Sequence, residues 1–125
     1  MKKIYSIKSN NVFNRIYAKG KSCVLPTCVI YARKNVGLEH AELGITTAKK
    51  MGGAVERNRA RRIIREAYRL LCKEKNELYQ APYYIVIVAR GKCFKKSTKM
   101  QSVLADITRG FSELGLIKCE ESGEV

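Results

Sequence analysis

Three stretches of the chain carry clear hydrophobic periodicity, and the predicted fold is built around them. Between Ala54 and Lys73 the apolar residues Ala60, Ile63, Ile64, Ala67, Leu70 and Leu71 fall within a sector of roughly 120° on a helix turning ~100° per residue. Tyr83 to Ala89, YYIVIVA, is an unbroken apolar run of strand length and reads as a central strand. From about Thr98 to Leu114, Met100, Val103, Leu104, Ile107, Phe111 and Leu114 repeat at helical spacing and predict a packing stripe.

Weaker signals fill in the rest. Ser9 is placed to cap a short helix with Val12, Phe13, Ile16 and Tyr17 on one face, and Gly20 to stop it. Thr27 to Arg33 alternates as a strand, with Val29, Tyr31 and Arg33 opposite Cys28, Ile30 and Ala32. Asn35 to His40 reads as a turn, Glu42 to Ala48 as the next strand, and Leu78 to Pro82 as a break. A further short strand fits near Cys23 to Leu25. The order α-β-β-(β)-α-β-α describes one α/β (α+β) two-layer sandwich over residues 1–125, with residues 119–125 expected to form a flexible acidic tail.

Charge changes the picture. Lys and Arg number 25 against 11 Asp and Glu, a net +14, which predicts salt-sensitive binding to a polyanion. Much of the excess lies on the polar side of the first periodic stretch. Arg61, Arg62, Arg65, Arg69 and Asn58 point away from its apolar sector, Arg57 and Arg59 flank the boundary, and Lys49 and Lys50 precede it. A basic run is most often a solvated face. Here only Glu56 and Glu66 lie among six arginines, and guanidinium forks pair bidentately with phosphate, so a nucleic-acid face is the better reading. The Gly52-Gly53 pair permits a left-handed backbone and leaves the helix N-terminus open to an anion. Phe13 and Tyr17, one turn apart beside Arg15, Lys19 and Lys21, suit either core packing or base stacking.

The run KKMGGAVERNRARRIIRE, Lys49 to Glu66, resembles the signature of the bacterial ribonuclease P protein family: a lysine pair, a glycine step, Ala-Val, Arg-Asn-Arg and a basic helix ending Ile-Arg-Glu. The resemblance implies a left-handed β-α-β crossover at the basic helix, against the usual right-handed rule. It also implies that the protein binds the catalytic RNA subunit, 1:1, through Lys49, Lys50, Arg57, Asn58, Arg59, Arg61, Arg62, Arg65 and Arg69. A cleft of Phe13, Tyr17, Tyr31, Thr46 and Arg90 would hold the 5′ leader of precursor tRNA. The family often has a proline soon after the arginine that follows the central strand; here Arg90-Gly91-Lys92 stands instead.

On the same reading the Mg²⁺ used in cleavage belongs to the RNA subunit, and the protein supplies no catalytic residue, metal ligand or cofactor. The residues agree with that division. One histidine, His40, and one aspartate, Asp106, offer neither an acid–base pair nor an evident carboxylate cluster for two metal ions. Five cysteines without CxxC spacing point to reduced thiols and no structural zinc. No apolar run reaches membrane-spanning length, and Met1-Lys2-Lys3-Ile4 lacks a signal-peptide core, so a cytoplasmic protein is expected. The rival readings are a general, ribosomal-type RNA-binding protein without a role in tRNA processing, and a nuclease acting alone.

Overall fold

A computed structural model describes residues 4–7, 10–48, 52–95 and 98–117. Ser9, Lys49, Lys50 and the tail at 119–125 lie outside the described residues. The strands are β1 (Tyr5–Ser6), β2 (Lys21–Val24), β3 (Cys28–Lys34), β4 (Glu42–Thr46) and β5 (Tyr83–Ala89); the helices are α1 (Asn10–Lys19), α2 (Ala54–Glu74), α3 (Asn76–Gln80) and α4 (Met100–Leu114). One five-stranded sheet runs β1-β4-β5-β3-β2. The apolar run of β5 takes the middle place, parallel to β4 and antiparallel to β3, with Ile85, Val86 and Ile87 fully buried. A strand sealed on both faces needs no polar alternation. The parallel pair β4 and β5, joined through α2, forms the β-α-β unit anticipated from the basic helix.

Each face of the sheet has its own apolar cluster. On one, Ile30, Ala32, Leu43, Ile85, Ile87 and Ala89 meet α2 and α4. Gly110 of α4 is pressed so close that an added Cβ would stand 2.7 Å from both Ile30 Cδ1 and Leu25 Cδ1. On the other face, α1 packs Ile16 against Ile7 and Val86, with Val12, Phe13, Tyr31, Tyr84 and Val88 around them. Helix α4 ends as its sequence suggests: Gly115 at φ 85° turns the chain left-handed, and Leu116 N–H returns to Phe111 O at 2.9 Å.

Five sequence expectations need correction. The first element is a strand: β1 lies beside β4 in parallel, with Tyr5 opposite Glu42. Two residues of mixed polarity give no periodicity to read. The extra strand begins at Lys21 and pairs along β3, while the break after α2 is only a hinge at Lys75 before the five-residue α3. The buried face of α2 is rotated from the expected sector. It takes in Tyr68 and Cys72, while Ile63 and Leu70 are half-buried. Lastly, Gly53 caps α2 at φ −77°, an ordinary extended conformation, so the left-handed turn expected there is not used at Gly53.

Candidate nucleic-acid interface

The arginines of α2 divide by what they already hold. Arg62 and Arg65 are exposed and make no side-chain hydrogen bond or ion pair with another described residue. Arg61 is half-buried and donates to Asn58 Oδ1 at 2.9 Å, which stiffens both on the helix surface. Arg69 pairs with Glu66 at 3.1 Å, an exposed contact of little energetic weight. Arg57 Nη1 reaches back to Gly52 O at 3.3 Å.

Arg59 differs from all of these. Its two terminal nitrogens donate to Lys95 O at 3.2 Å and Thr98 O at 2.9 Å, so one guanidinium ties α2 to the segment that leads into α4. Two donors of a side chain expected to meet RNA are engaged with the protein's own backbone. The helix N-terminus that the glycines leave open has a carboxylate of the protein itself close by. Glu56 folds back over them, its Cβ 3.1 Å from where a Gly52 Cβ would stand and its Oε1 3.0 Å from that of Gly53. The exposed Glu56 carboxylate lies beside this end of the helix, where negative charge is favoured, without capping it by a hydrogen bond.

The second surface is the face of the sheet that α1 only partly covers. Phe13 lies directly on Gly44: a Cβ there would fall 2.5 Å from Phe13 Cζ. The ring is half-buried and anchored against the cluster, so it has a packing role and is still partly exposed. Tyr17 is 41% exposed and meets Tyr31 edge-on, ring centroids 4.9 Å apart at 85°. Register places Thr46 beside Val88, and Val88 beside Val29, one two-residue step beyond the Gly44–Val86–Tyr31 row beneath α1.

Arg90 follows at the strand end. Its Nη1 donates to Leu25 O at 2.8 Å, and its N–H to Thr27 O at 3.0 Å. The same turn is held from the other side by Asp106, which accepts from Thr27 N–H at 3.0 Å and Thr27 Oγ–H at 2.6 Å. The lone aspartate is therefore a structural anchor, and Arg90 is fixed in direction at the rim. The structure thus brings Phe13, Tyr17, Tyr31 and Thr46 together, with Arg90 at one end. The arginines of α2 lie on the helix that covers the opposite face of the sheet.

Elsewhere the polar chemistry is quiet. His40 lies between Tyr5 and Tyr79, ring centroids 4.8 and 5.2 Å away, in an aromatic cluster that no local sequence pattern foreshadows. Burial pushes the Cys28 thiol up to about 12 and the Cys93 thiol up to about 11, so both stay protonated. Among the described residues no group of three or more His, Cys, Asp or Glu side chains is placed to hold a metal ion. None of the described helices is long and apolar enough to cross a membrane.

A half-covered sheet face carrying Phe13, Tyr17 and Tyr31 and an arginine-studded helix, on a small α+β sandwich of net charge +14, have the features of the RNA-binding class. Comparison with known proteins narrows this further. The Ribonuclease P family profile matches residues 1–115. A ribonuclease P protein component from Macrococcus caseolyticus is 36% identical over 117 residues, spanning 90% of this chain and 97% of that protein. One from Clostridium novyi is 39% identical over 100 residues, 79% of this chain and 85% of that protein. Among solved structures, the Staphylococcus aureus RNase P protein superposes with a TM-score of 0.77 at 28% identity, covering 93% of this chain and 100% of that one. The Thermotoga maritima RNase P protein in complex with 1-(4-fluorophenyl)-2-thiourea gives 0.70 at 27% identity, covering 82% and 94%. The chain belongs to the ribonuclease P protein family and is the accessory protein subunit of a tRNA-processing holoenzyme whose other component is ribonuclease P RNA.

Proposed function

We propose that the two surfaces divide the work: the arginine face of α2 docks one protein on one ribonuclease P RNA, and the cleft beside α1 holds the 5′ leader of precursor tRNA. The observation that carries this reading is the half-covered sheet face. Phe13 and Tyr31 are fixed by packing, Tyr17 stands edge-on and exposed above them, and the strip toward Thr46 and Val88 is only half-buried. Rigid aromatic rings beside a basic rim are what stacking of single-stranded bases requires. Lys49 and Lys50, which follow β4 in sequence, are assigned to the RNA side with Arg57, Asn58, Arg61, Arg62, Arg65 and Arg69.

In this reading the protein binds and positions, while the Mg²⁺ that assists hydrolysis is held by the RNA. Among the described residues no three His, Cys, Asp or Glu side chains converge; the lone aspartate accepts from Thr27 and the lone histidine lies between two tyrosine rings. The action is placed in the cytoplasm, where precursor tRNA would be met. The test is cleavage of precursor tRNA by the protein alone, by ribonuclease P RNA alone at high Mg²⁺, and by both together at low Mg²⁺. Cleavage is expected from the RNA and, at lower Mg²⁺, from the pair. Metal-dependent cleavage by the protein alone would overturn the division of labour.

A further inference from the structure

Helix α1 crosses the open face of the sheet from β4 to β3. Phe13 sits on Gly44, Ile16 joins the Val86 cluster, and Gly20 ends the helix against Ala32, whose carbonyl oxygen would lie 2.9 Å from an added Cβ. It therefore has two flanks. Phe13 and Tyr17 lie on one; Val12 and Arg15 lie on the other, the two pairs separated by about 150° around the helix at ~100° per residue. The first flank borders the cleft described above. The second borders a cavity of about 420 Å³ that none of the leader-cleft residues lines.

Around that cavity stand Val12 and Arg15 from α1, Arg33 and Lys34 from the end of β3, Asn35 just after it, and Tyr84 from the start of β5. Three of its lining side chains are cationic and none is acidic. Glu42 lies beyond Tyr84 on the neighbouring strand, with which it is in register, and Glu39 is in the preceding turn; neither lines the cavity. The wall is also preorganised. Asn35 Nδ2 donates to the Tyr84 hydroxyl at 3.2 Å, its Oδ1 accepts from Gly37 N–H at 3.0 Å, and its own N–H is tied to Pro82 O at 2.7 Å. Arg15, Arg33 and Lys34 form no ion pair among the described residues. Three cations lining one cavity beside a fixed aromatic wall have the chemistry of a phosphate-and-base site.

We propose that this cavity is a second subsite for single-stranded RNA, holding a phosphate and base of the precursor leader upstream of the nucleotides in the aromatic cleft. The inference rests on the leader assignment above. The cavity opens on the same sheet face as the cleft, whereas α2 covers the opposite face, so a strand leaving the cleft over α1 reaches it. The leader must then span α1, a helix ~10 Å across, so short leaders cannot fill both sites.

The test uses the reconstituted holoenzyme with Arg33→Ala/Lys34→Ala and, separately, Arg15→Ala, each checked by thermal melting. Affinity is measured against salt for three ligands: precursor tRNA with a long leader, precursor tRNA with a leader of two nucleotides, and mature tRNA. Long-leader binding is expected to weaken and its log–log salt slope to fall by about 0.7 for each phosphate no longer neutralised. Short-leader and mature tRNA binding should not change. Tyr17→Ala distinguishes the two claims, because it should weaken long- and short-leader precursors alike if the cleft reading holds. Unchanged long-leader affinity in both cavity variants would overturn the subsite. So would equal weakening for all three ligands, or loss of affinity for the ribonuclease P RNA itself, which would assign the cavity to the RNA subunit.

Discussion

Replacing Arg59 by alanine separates a structural arginine from the neighbours proposed to face RNA. In the folded protein its guanidinium donates to two main-chain carbonyls, Thr98 O in a partly buried setting and Lys95 O at the surface. A hydrogen bond from a charged donor contributes about 1.5–3 kcal/mol where water is partly excluded, and close to nothing where it is not. Only the Thr98 bond is counted in full, so Arg59→Ala should destabilise the fold by about 1.5–3 kcal/mol. For a chain of this length that corresponds to a fall in melting temperature of roughly 5–15 °C. Arg62→Ala, which removes an exposed side chain with no described partner, should stay within about 0.5 kcal/mol of the parent.

The assay pairs thermal melts with salt-dependent binding to ribonuclease P RNA. Arg62→Ala should lower the log–log slope by about 0.7–0.9 and leave the melt unchanged. Arg59→Ala should lower the melt first, and Arg59→Lys should not restore it, since an ammonium cannot fork to two carbonyls in this geometry. An Arg59→Ala protein that melts with the parent and loses slope as Arg62→Ala does would refute the brace.

Gly44→Ala places a Cβ 2.5 Å from the Phe13 ring, so the ring must move; a loss of about 1–3 kcal/mol and weaker precursor binding with mature tRNA unaffected are expected from melts and competition binding. Arg61→Ala, Arg62→Ala and Arg65→Ala should each reduce the salt slope, with Arg61 giving the smallest change because it is half-buried and bonded to Asn58; no change in any of them would remove phosphate from this face. Cys28 and Cys93 should resist alkylation at neutral pH more than the partly exposed Cys23. Their folded values near 12 and 11 lie above the ordinary 9.0, so the stability they contribute is present below pH 9 and is lost as pH rises through those folded values. The slope should reach about 1.4 kcal/mol per pH unit per thiol, and Cys28→Ala should flatten alkaline urea melts.

What could be read in advance depended on how local its cause was. Strand β5 and helices α2 and α4 announce themselves because each carries its burial in its own periodicity. Strand β1 does not: two residues pair with β4 only because the finished sheet offers an edge. The rotation of α2's buried face toward Tyr68 has the same origin, since Tyr68 packs edge-on against Phe111, a partner on α4 with ring centroids 6.1 Å away. The arginines show the limit most clearly. Arg59 and Arg62 are alike in sequence, yet Arg59 is committed to carbonyls 36 and 39 residues away, and Arg90 to one 65 residues away. Charge and spacing located the basic face, while the division of labour within it was set by long-range contacts.

The same reasoning bears on why the cleft proposed for the leader is assigned to the α1 face. Two helices, 21 and 15 residues long, cover the other face and bury Ile30, Ile85 and Ile87 completely. A single helix of ten residues, lying across the strands instead of along them, can cover only one strip of its face. The rows on either side must then remain open, and their side chains are those of a surface that expects company: Val29, Val88 and Thr46 on one flank, Arg33 and Tyr84 on the other. Leaving apolar β-branched residues half-covered sacrifices some burial free energy, at roughly 25 cal/mol per Å². A partner with flat, apolar base faces and an anionic backbone recovers both terms at once, stacking on the first flank and meeting cations on the second. A longer α1, or one turned to lie along the strands, would stabilise the isolated protein and close the very surface proposed here for the leader.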